Sequence, residues 1–331
     1  MTTTTAATTT MRAVVQDRYG SAEVLRLADV ARPAIADREV LVRVHAAGLD
    51  RGTEHVMTGK PYAVRLAMGV RRPRNPVPGR DVAGTVVEVG STVTRFAVGD
   101  EVYGFAAGSF AEYVGAREDK LARKPASLSF EQAAVVPVSA TTALRALTDA
   151  GRVQPGQSVL VLGASGGVGS YAVQLAKAFG AEVTGVASTA KLDMVTSLGA
   201  DHVIDYTRQD FADGSRRYDL VLDIGGTPSL TRLRRALAPR GTVVFVGGEQ
   251  AGKLLGMGRQ IRGALLSVFL RQRLVLLAAK ERGSDVERLT ELVEAGKVTP
   301  SLESSYPLEQ APTAVRRLEA GEVRGKLAIT A

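Results

Sequence analysis

The run Val159-Leu-Val-Leu-Gly163-Ala-Ser165-Gly166-Gly167-Val168-Gly169 carries the spacing that most directly implies chemistry. Apolar residues suited to a strand lead into a glycine-rich turn. Beyond it Ala172, Leu175, Ala176 and Phe179 recur at i, i+3, i+4 and i+7, one face of a helix. Such a turn lets backbone N–H groups and the positive end of the helix approach a pyrophosphate. The glycines stand at Gly163, Gly166 and Gly169, with Gly167 in addition, so the strict G-x-G-x-x-G spacing is absent. The context of strand before, amphipathic helix after and second strand next carries the reading of dinucleotide binding. No Gly-Lys-Ser/Thr follows, which excludes a P-loop.

The next strand decides which dinucleotide. A site that prefers NAD ends this strand with Asp or Glu to hold the ribose 2′-hydroxyl. Here the chain reads Gly185-Val-Ala-Ser188-Thr189-Ala190-Lys191, and the first acid, Asp193, falls inside the following helix. Ser188 can donate a hydrogen bond and Lys191 can neutralise a 2′-phosphate, so the expected cofactor is NADP(H). The chain has no cysteine and three histidines, His45, His55 and His202. That excludes disulfides, cysteine-ligated zinc and a thiol nucleophile, and the histidine spacing offers no ligand cluster. The expected metal content is none. Without a Lewis acid, direct oxidation of a simple alcohol is hard to stabilise.

These groups need a large scaffold. The 331 residues, 45% hydrophobic and 23% charged, suit a two-domain globular protein. Formal net charge is +8, but the basic residues are scattered and lack interleaved aromatics, which argues against a nucleic-acid surface. Residues 1–10, nearly all Thr and Ala, have neither the charged start nor the apolar core of a signal peptide and read as a disordered tail, with Met11 marking the start of the folded part. No apolar run approaches the ~20 residues of a membrane span, so no integral membrane association is expected. A cytoplasmic location suits a chain without cysteine.

From Arg12 to Pro137 short Val-rich strands alternate with turns: Arg12–Gln16, Glu39–Ala46, Gly84–Val89 and Glu101–Tyr103. The basic, proline-punctuated stretch Arg65–Pro78 reads as a mobile surface loop. After Ala140 strands alternate with helices. The strands are Ser158–Leu162, Glu182–Ala187, Val203–Ile204, Leu220–Asp223 and Thr242–Val246, and the helices are Ser170–Phe179, Ala190–Leu198 and Leu230–Ala238. This alternation predicts a parallel sheet with covering helices. The apolar and basic stretch Lys253–Lys280 reads as a helix and strand packed in a cleft or dimer contact, with a peripheral membrane helix as the alternative. A helix over Asp285–Glu294 and a strand over Leu327–Thr330 close the chain.

Together these residues resemble the medium-chain dehydrogenase/reductase superfamily, in its zinc-free quinone oxidoreductase (zeta-crystallin-like) branch. The likeness covers nearly the whole chain after Met11. It rests on Pro78-Gly79-Arg80-Asp81-Val-Ala-Gly84, Val98-Gly99-Asp100-Glu-Val102-Tyr-Gly104, Pro137-Val-Ser-Ala-Thr141-Thr142-Ala143, Ser197-Leu-Gly199-Ala200-Asp201 through Tyr206, and Gly325-Lys326. Among its members it resembles the chloroplast-envelope quinone oxidoreductase homologue and the reticulon-interacting oxidoreductases.

The resemblance implies an α/β fold: a GroES-like β-barrel catalytic domain plus a Rossmann domain with a doubly wound parallel sheet. Residues 11–137 would form the first part of the catalytic domain, 138–262 the NADP-binding domain, and 263–331 the segment completing the catalytic domain. Ser165, Gly167 and Val168 would join Gly163 and Gly166 around the pyrophosphate. Ser188, Lys191 and Tyr206 would surround the 2′-phosphate. Ile224, Val246 and Gly247 would line the cofactor at strand ends, and Glu322, Val323 and Arg324 would close over it. Thr142 would lie near the nicotinamide. A homodimer in which Thr242–Val246 extends a sheet across two copies follows by the same analogy.

One departure concerns the active site. Relatives commonly carry Asn-Pro after the strand leading there and a Tyr several residues later, where this chain has Asp50-Arg51 and His55. The catalytic candidates are therefore Asp50, His55, Tyr62 and Thr142. The expected reaction passes hydride from NADPH to a quinone or to the β-carbon of an α,β-unsaturated carbonyl, reactive enals included. His55, Tyr62 or solvent would deliver the proton; an ordinary imidazole pKa near ~6.5 suits His55 to that exchange. The partner is then a small-molecule quinone or enone, with no DNA. The alternative is an NADPH-binding redox sensor or RNA-binding protein with little turnover.

Overall fold

The computed structural model describes residues 9–225, 228–247, 258–267, 270–278 and 280–331. Residues 1–8 of the expected tail lie outside the described residues, and Thr10 already belongs to the first strand.

Six strands form a parallel sheet: Ser158–Leu162, Glu182–Ala187, His202–Asp205, Tyr218–Asp223, Leu237–Phe245 and Arg273–Leu276. Counted in chain order their spatial order is third, second, first, fourth, fifth, sixth. The order reverses between the first and fourth strands, the switch point where open α/β sheets bind ligands beyond their carboxyl ends. The first, second, fourth and fifth strands carry runs of buried Val and Leu because helices cover both faces of the sheet. Helix Gly167–Ala178 packs Ala172, Val173, Leu175 and Ala176 into the larger core.

The other unit is built on a seven-stranded sheet. Its path runs Leu302–Pro307, Lys326–Thr330, Glu39–Leu49, Asp81–Val89, Glu101–Phe105 and Leu121–Arg123, with Tyr113–Arg117 also paired to Glu39–Leu49. The last strand returns to the first half of the chain, with Leu327 opposite Leu49 and Thr330 opposite Ala46. Helix Gly283–Glu294 buries Val286, Leu289 and Val293 in the core shared by both units, where the Tyr103 hydroxyl meets the Val286 carbonyl at 3.2 Å.

Three expectations change. Within the stretch read as a loop, Val64–Met68 is helical and ends at Gly69. Pro73, Pro76 and Pro78 all follow that glycine, so no breaker interrupts Ala63–Met68. Strand Leu237–Phe245 has neighbours on both sides, so Thr242–Val246 cannot extend a sheet across a dimer; the outer edge belongs to Arg273–Leu276. That edge strand, preceded by helix Gly258–Ser267, also carries the parallel sheet past the expected boundary at 262, because Thr242 pairs with Arg273 and Phe245 with Leu276. Residues 253–257, 268, 269 and 279 of the apolar and basic stretch lie outside the described residues. Among the described residues no helix is long and apolar enough to cross a membrane. Helix Ala311–Glu319, and helix Pro137–Arg145 with its π-helical continuation Ala146–Gly151, complete the scaffold.

Candidate functional site

The first strand ends at Gly163, whose φ of 84° is open to glycine. A Cβ there would lie 2.8 Å from the Gly225 nitrogen, and one at Gly169 would lie 2.0 Å from the Gly163 carbonyl oxygen. The turn is thus folded tightly on itself and on the end of the fourth strand. Ser170 donates back to the Gly166 carbonyl at 2.9 Å, which leaves the N–H groups of Gly167, Val168 and Gly169 without acceptors inside the helix. These donors and the positive helix end fit a pyrophosphate. The Ser165 carbonyl accepts from the Gly325 N–H at 2.9 Å, so the C-terminal segment is tied to the turn.

The second and third strands end side by side, Ala187 opposite Asp205. Ser188 opens the short turn Thr189–Lys191, and Tyr206, 62% exposed, donates its N–H to the Ala187 carbonyl. The structure therefore brings Ser188, Lys191 and Tyr206 together at two adjacent strand ends. Lys191 Nζ donates to the Gly321 and Val323 carbonyls at 3.0 and 2.8 Å. Burial lowers its pKa, Glu303 opposes that shift, and the cations of Arg324 and Arg51 add to it. A phosphate would relieve this crowding of positive charge. Asp205, the acid nearest these strand ends, accepts from the Thr189 and Thr207 hydroxyls and from the Thr207 N–H.

At the ends of the fourth and fifth strands, the Val246 and Gly247 N–H groups both reach the Asp223 carbonyl, and a Cβ on Gly247 would lie 2.1 Å from the Ile224 carbonyl oxygen. Ile224, Val246 and Gly247 so form one close-packed rim. Beneath it Asp223 is fully buried and paired with Arg259 at 2.6 Å; burial against that pull raises its carboxyl to about 6. Of the closing segment, Val323 is buried, Glu322 is exposed, and the Arg324 N–H donates to Glu303 at 3.0 Å.

The catalytic candidates divide. Thr142 lines a small cavity of about 30 Å³ between the units, with Arg80, Phe105, Arg145, Leu277 and Glu281. Its hydroxyl donates to the Val138 carbonyl at 2.6 Å. Asp50 is 6% exposed: one oxygen caps helix Arg51–Thr58 by accepting from the Thr53 N–H at 2.7 Å, and the other meets Lys326 Nζ at 3.3 Å. His55 is half-buried within that helix. Tyr62 is 40% exposed under the Arg65 guanidinium. Neither His55 nor Tyr62 lines the cavity around Thr142.

A buried ionic network was missed in the sequence. Lys326, 1% exposed, places Nζ 3.3 Å from Asp50 and 3.4 Å from Asp81. Asp81 also accepts from the Val138 N–H at 2.8 Å, anchoring the helix that carries Thr142. Arg80, next in chain, pairs with Glu281 across the cleft. Burial and the neighbouring Asp50 carboxylate push Asp81 up to about 8 against the pull of Lys326. Asp50 moves the other way: burial raises it, but Lys326, Arg80 and the Thr53 N–H prevail and hold it below the usual carboxylate range. The network abuts the glycine turn, since a Cβ on Gly167 would sit 2.9 Å from Lys326 Cδ. The available signal was an Asp and a Lys, each opening a strand whose following residues are mostly apolar.

Residues 36–126 match the family described as Alcohol dehydrogenase GroES-like domain, and residues 198–329 that described as Zinc-binding dehydrogenase. The donor set here does not fit zinc. Cysteine is absent, His45 stacks on Phe130 and bonds Thr85, and His202 pairs with Glu182. No group of three or more metal-ligating side chains converges among the described residues. The chain is 36% identical to the 2-methylene-furan-3-one reductase of Solanum lycopersicum, over 96% of this chain and 79% of that protein. It is 33% identical to the mitochondrial NAD(P)H oxidoreductase RTN4IP1 of Mus musculus, over 99% and 91%. The quinone oxidoreductase structure from Coxiella burnetii superposes with a TM-score of 0.86 at 30% identity, over 98% of this chain and all of that one. The chain belongs to the medium-chain dehydrogenase/reductase superfamily, in its zinc-free quinone oxidoreductase branch.

Proposed function

We propose that this protein is an NADPH-dependent reductase of quinones and α,β-unsaturated carbonyls. The observation that carries the reading is the cationic niche of Lys191 and Arg324 at the end of the second strand, one glycine turn away from the cleft that holds Thr142. NADPH bound there supplies a hydride. The N–H groups of Gly167, Val168 and Gly169 hold its pyrophosphate, with Gly163, Gly166 and Ser165 shaping the turn. Ser188, Lys191 and Tyr206 hold the 2′-phosphate, assisted by Arg324. Ile224, Val246 and Gly247 form the wall beneath, and Glu322 and Val323 cover it.

At the reacting end, Phe105 and Leu277 supply apolar walls and Thr142 sets the position of the acceptor. The Thr142 hydroxyl proton is engaged on the Val138 carbonyl, so its oxygen orients rather than donates. Negative charge developing on the acceptor oxygen faces the Arg80 side of the cleft. Solvent entering the cleft delivers the proton, since neither His55 nor Tyr62 lines it. Asp50 acts through Lys326, keeping the C-terminal strand seated under the glycine turn. By the same reading the nucleotide-binding unit runs from 138 to about the end of strand Arg273–Leu276, and the chain after it completes the catalytic unit.

The test is initial rates of NADPH and NADH oxidation against ortho-quinones, para-quinones, enones and enals. NADPH-selective turnover with at least one of these acceptors is expected. Turnover selective for NADH, or none with any acceptor, would contradict the proposal.

A further inference from the structure

The carboxyl ends of the parallel strands carry the site above. Their amino ends carry a second cavity, of about 510 Å³. Arg152, Arg240 and Arg273 line it together with Gln157, Asp219 and Thr242. Arg240 and Thr242 come from the fifth strand, Arg273 opens the sixth, and Asp219 lies in the fourth. Arg152 follows the π-helical turn Ala146–Gly151.

Among the described residues the guanidinium groups lining this cavity lack carboxylate partners, unlike many arginines elsewhere in the fold. Arg12, Arg80, Arg145, Arg232, Arg259 and Arg317 each meet a carboxylate. Arg152, Arg240 and Arg273 make no ion pair or side-chain hydrogen bond among the described residues. The one acid in the cavity, Asp219, spends an oxygen on the Ser158 N–H at 3.0 Å. Three guanidinium groups sharing one concavity repel one another unless an anion joins them. The backbone shows a second oddity at the same place. Arg152 has a φ of 55°, the left-handed region, where it is the one non-glycine residue among those described. A π-helical turn and a left-handed residue are irregularities that concentrate at functional positions.

We propose that this cavity is a second ligand site, separate from the cofactor cleft, for a small molecule bearing a phosphate or polyphosphate group. Guanidinium forks match phosphate oxygens in bidentate geometry, and three of them outweigh the single carboxylate. The volume falls in the range of small-molecule sites. Thr242 and Gln157 add polar residues to the lining. Inorganic polyphosphate and a nucleoside triphosphate share this chemistry.

Isothermal titration of the full chain with tripolyphosphate, and separately with ATP, tests the proposal. Two variants separate this site from the cofactor cleft. Arg240→Gln removes an exposed cation. Arg152→Gly removes a second one while suiting the left-handed backbone, so the fold is retained. The expected result is binding of tripolyphosphate that weakens about ten-fold in each variant, a size set by one charge-assisted contact, with the KM for NADPH unchanged. Tighter binding of ATP than of tripolyphosphate would identify a nucleotide as the ligand, and the reverse a bare polyphosphate. The proposal is overturned if no binding is seen at millimolar ligand, or if binding is the same in both variants, which would place the anion in the cofactor cleft. It is overturned equally if a single-stranded RNA oligonucleotide binds through these arginines far more tightly than either small ligand.

Discussion

The two ends of the proposed cofactor cleft are built in opposite ways. The end proposed for adenosine and pyrophosphate is built mainly on one stretch of chain, Ser158 to Tyr206, whose strand, turn and helix supply backbone donors in order, with later segments forming its wall and cover. The reacting end is gathered from segments around Asp50, Arg80, Thr142, Leu277 and Lys326, far apart in sequence and joined by buried charge. A site made from local geometry fails when that geometry is disturbed. A site held by a buried ionic network fails when one partner is removed. The two ends should therefore respond differently to substitution.

At the local end the loss falls on cofactor affinity. Gly169→Ala forces a Cβ toward the Gly163 carbonyl oxygen, 2.0 Å away in the undisturbed turn. Displacing the turn misaims its N–H donors, and NADPH affinity, read by fluorescence titration, is expected to fall about 100-fold, equivalent to ~2.7 kcal/mol. An unchanged affinity would mean that the turn is not the pyrophosphate cradle.

At the distributed end, Lys326→Met leaves Asp50 and Asp81 buried without their common cation. The expected loss of stability is ~3–5 kcal/mol by denaturant unfolding. Asp81→Asn should behave otherwise. With its carboxyl raised to about 8, the native state keeps a proton that the unfolded chain has released, so this group's contribution to stability declines as pH rises from its ordinary 3.8 towards 8. Melting temperature measured between about pH 5 and about pH 9 should slope downward more steeply in the parent than in Asp81→Asn. Equal slopes would show that Asp81 is ionised throughout that range.

The contrast also explains what could be read in advance. The glycine turn, the buried strands and helix Ser170–Phe179 announce themselves by periodicity within a dozen residues, and the structure places them as expected. Lys326 and Asp81 are charges at the starts of mostly apolar strands, and nothing local says that they meet; the pairing of both strands with Glu39–Leu49 brings them together. The same non-local reason hid the edge position of Arg273–Leu276, which a buried-looking Thr242–Val246 had seemed to occupy. Helix Val64–Met68 was masked by the prolines that follow it.

The smallest effect is expected at His55. The sequence offers it as a proton donor, but it does not line the cavity around Thr142. His55→Phe should change kcat/KM by less than about three-fold and leave the pH–rate profile unaltered, because general acid catalysis is typically worth ~100-fold or more. A loss of that larger size would move proton delivery from solvent to this side chain.

The central claim, that the second-strand niche recognises the 2′-phosphate of NADPH, is tested most directly by the KM for NADPH and for NADH in the parent and in Lys191→Ala. Lys191 also holds the Gly321 and Val323 carbonyls, so loss of that latch alone would weaken both cofactors alike. The account predicts that the parent favours NADPH and that Lys191→Ala raises the KM for NADPH about ten- to 100-fold while leaving that for NADH nearly unchanged. Equal use of the two cofactors by the parent, or an equal loss for both in the variant, would contradict it.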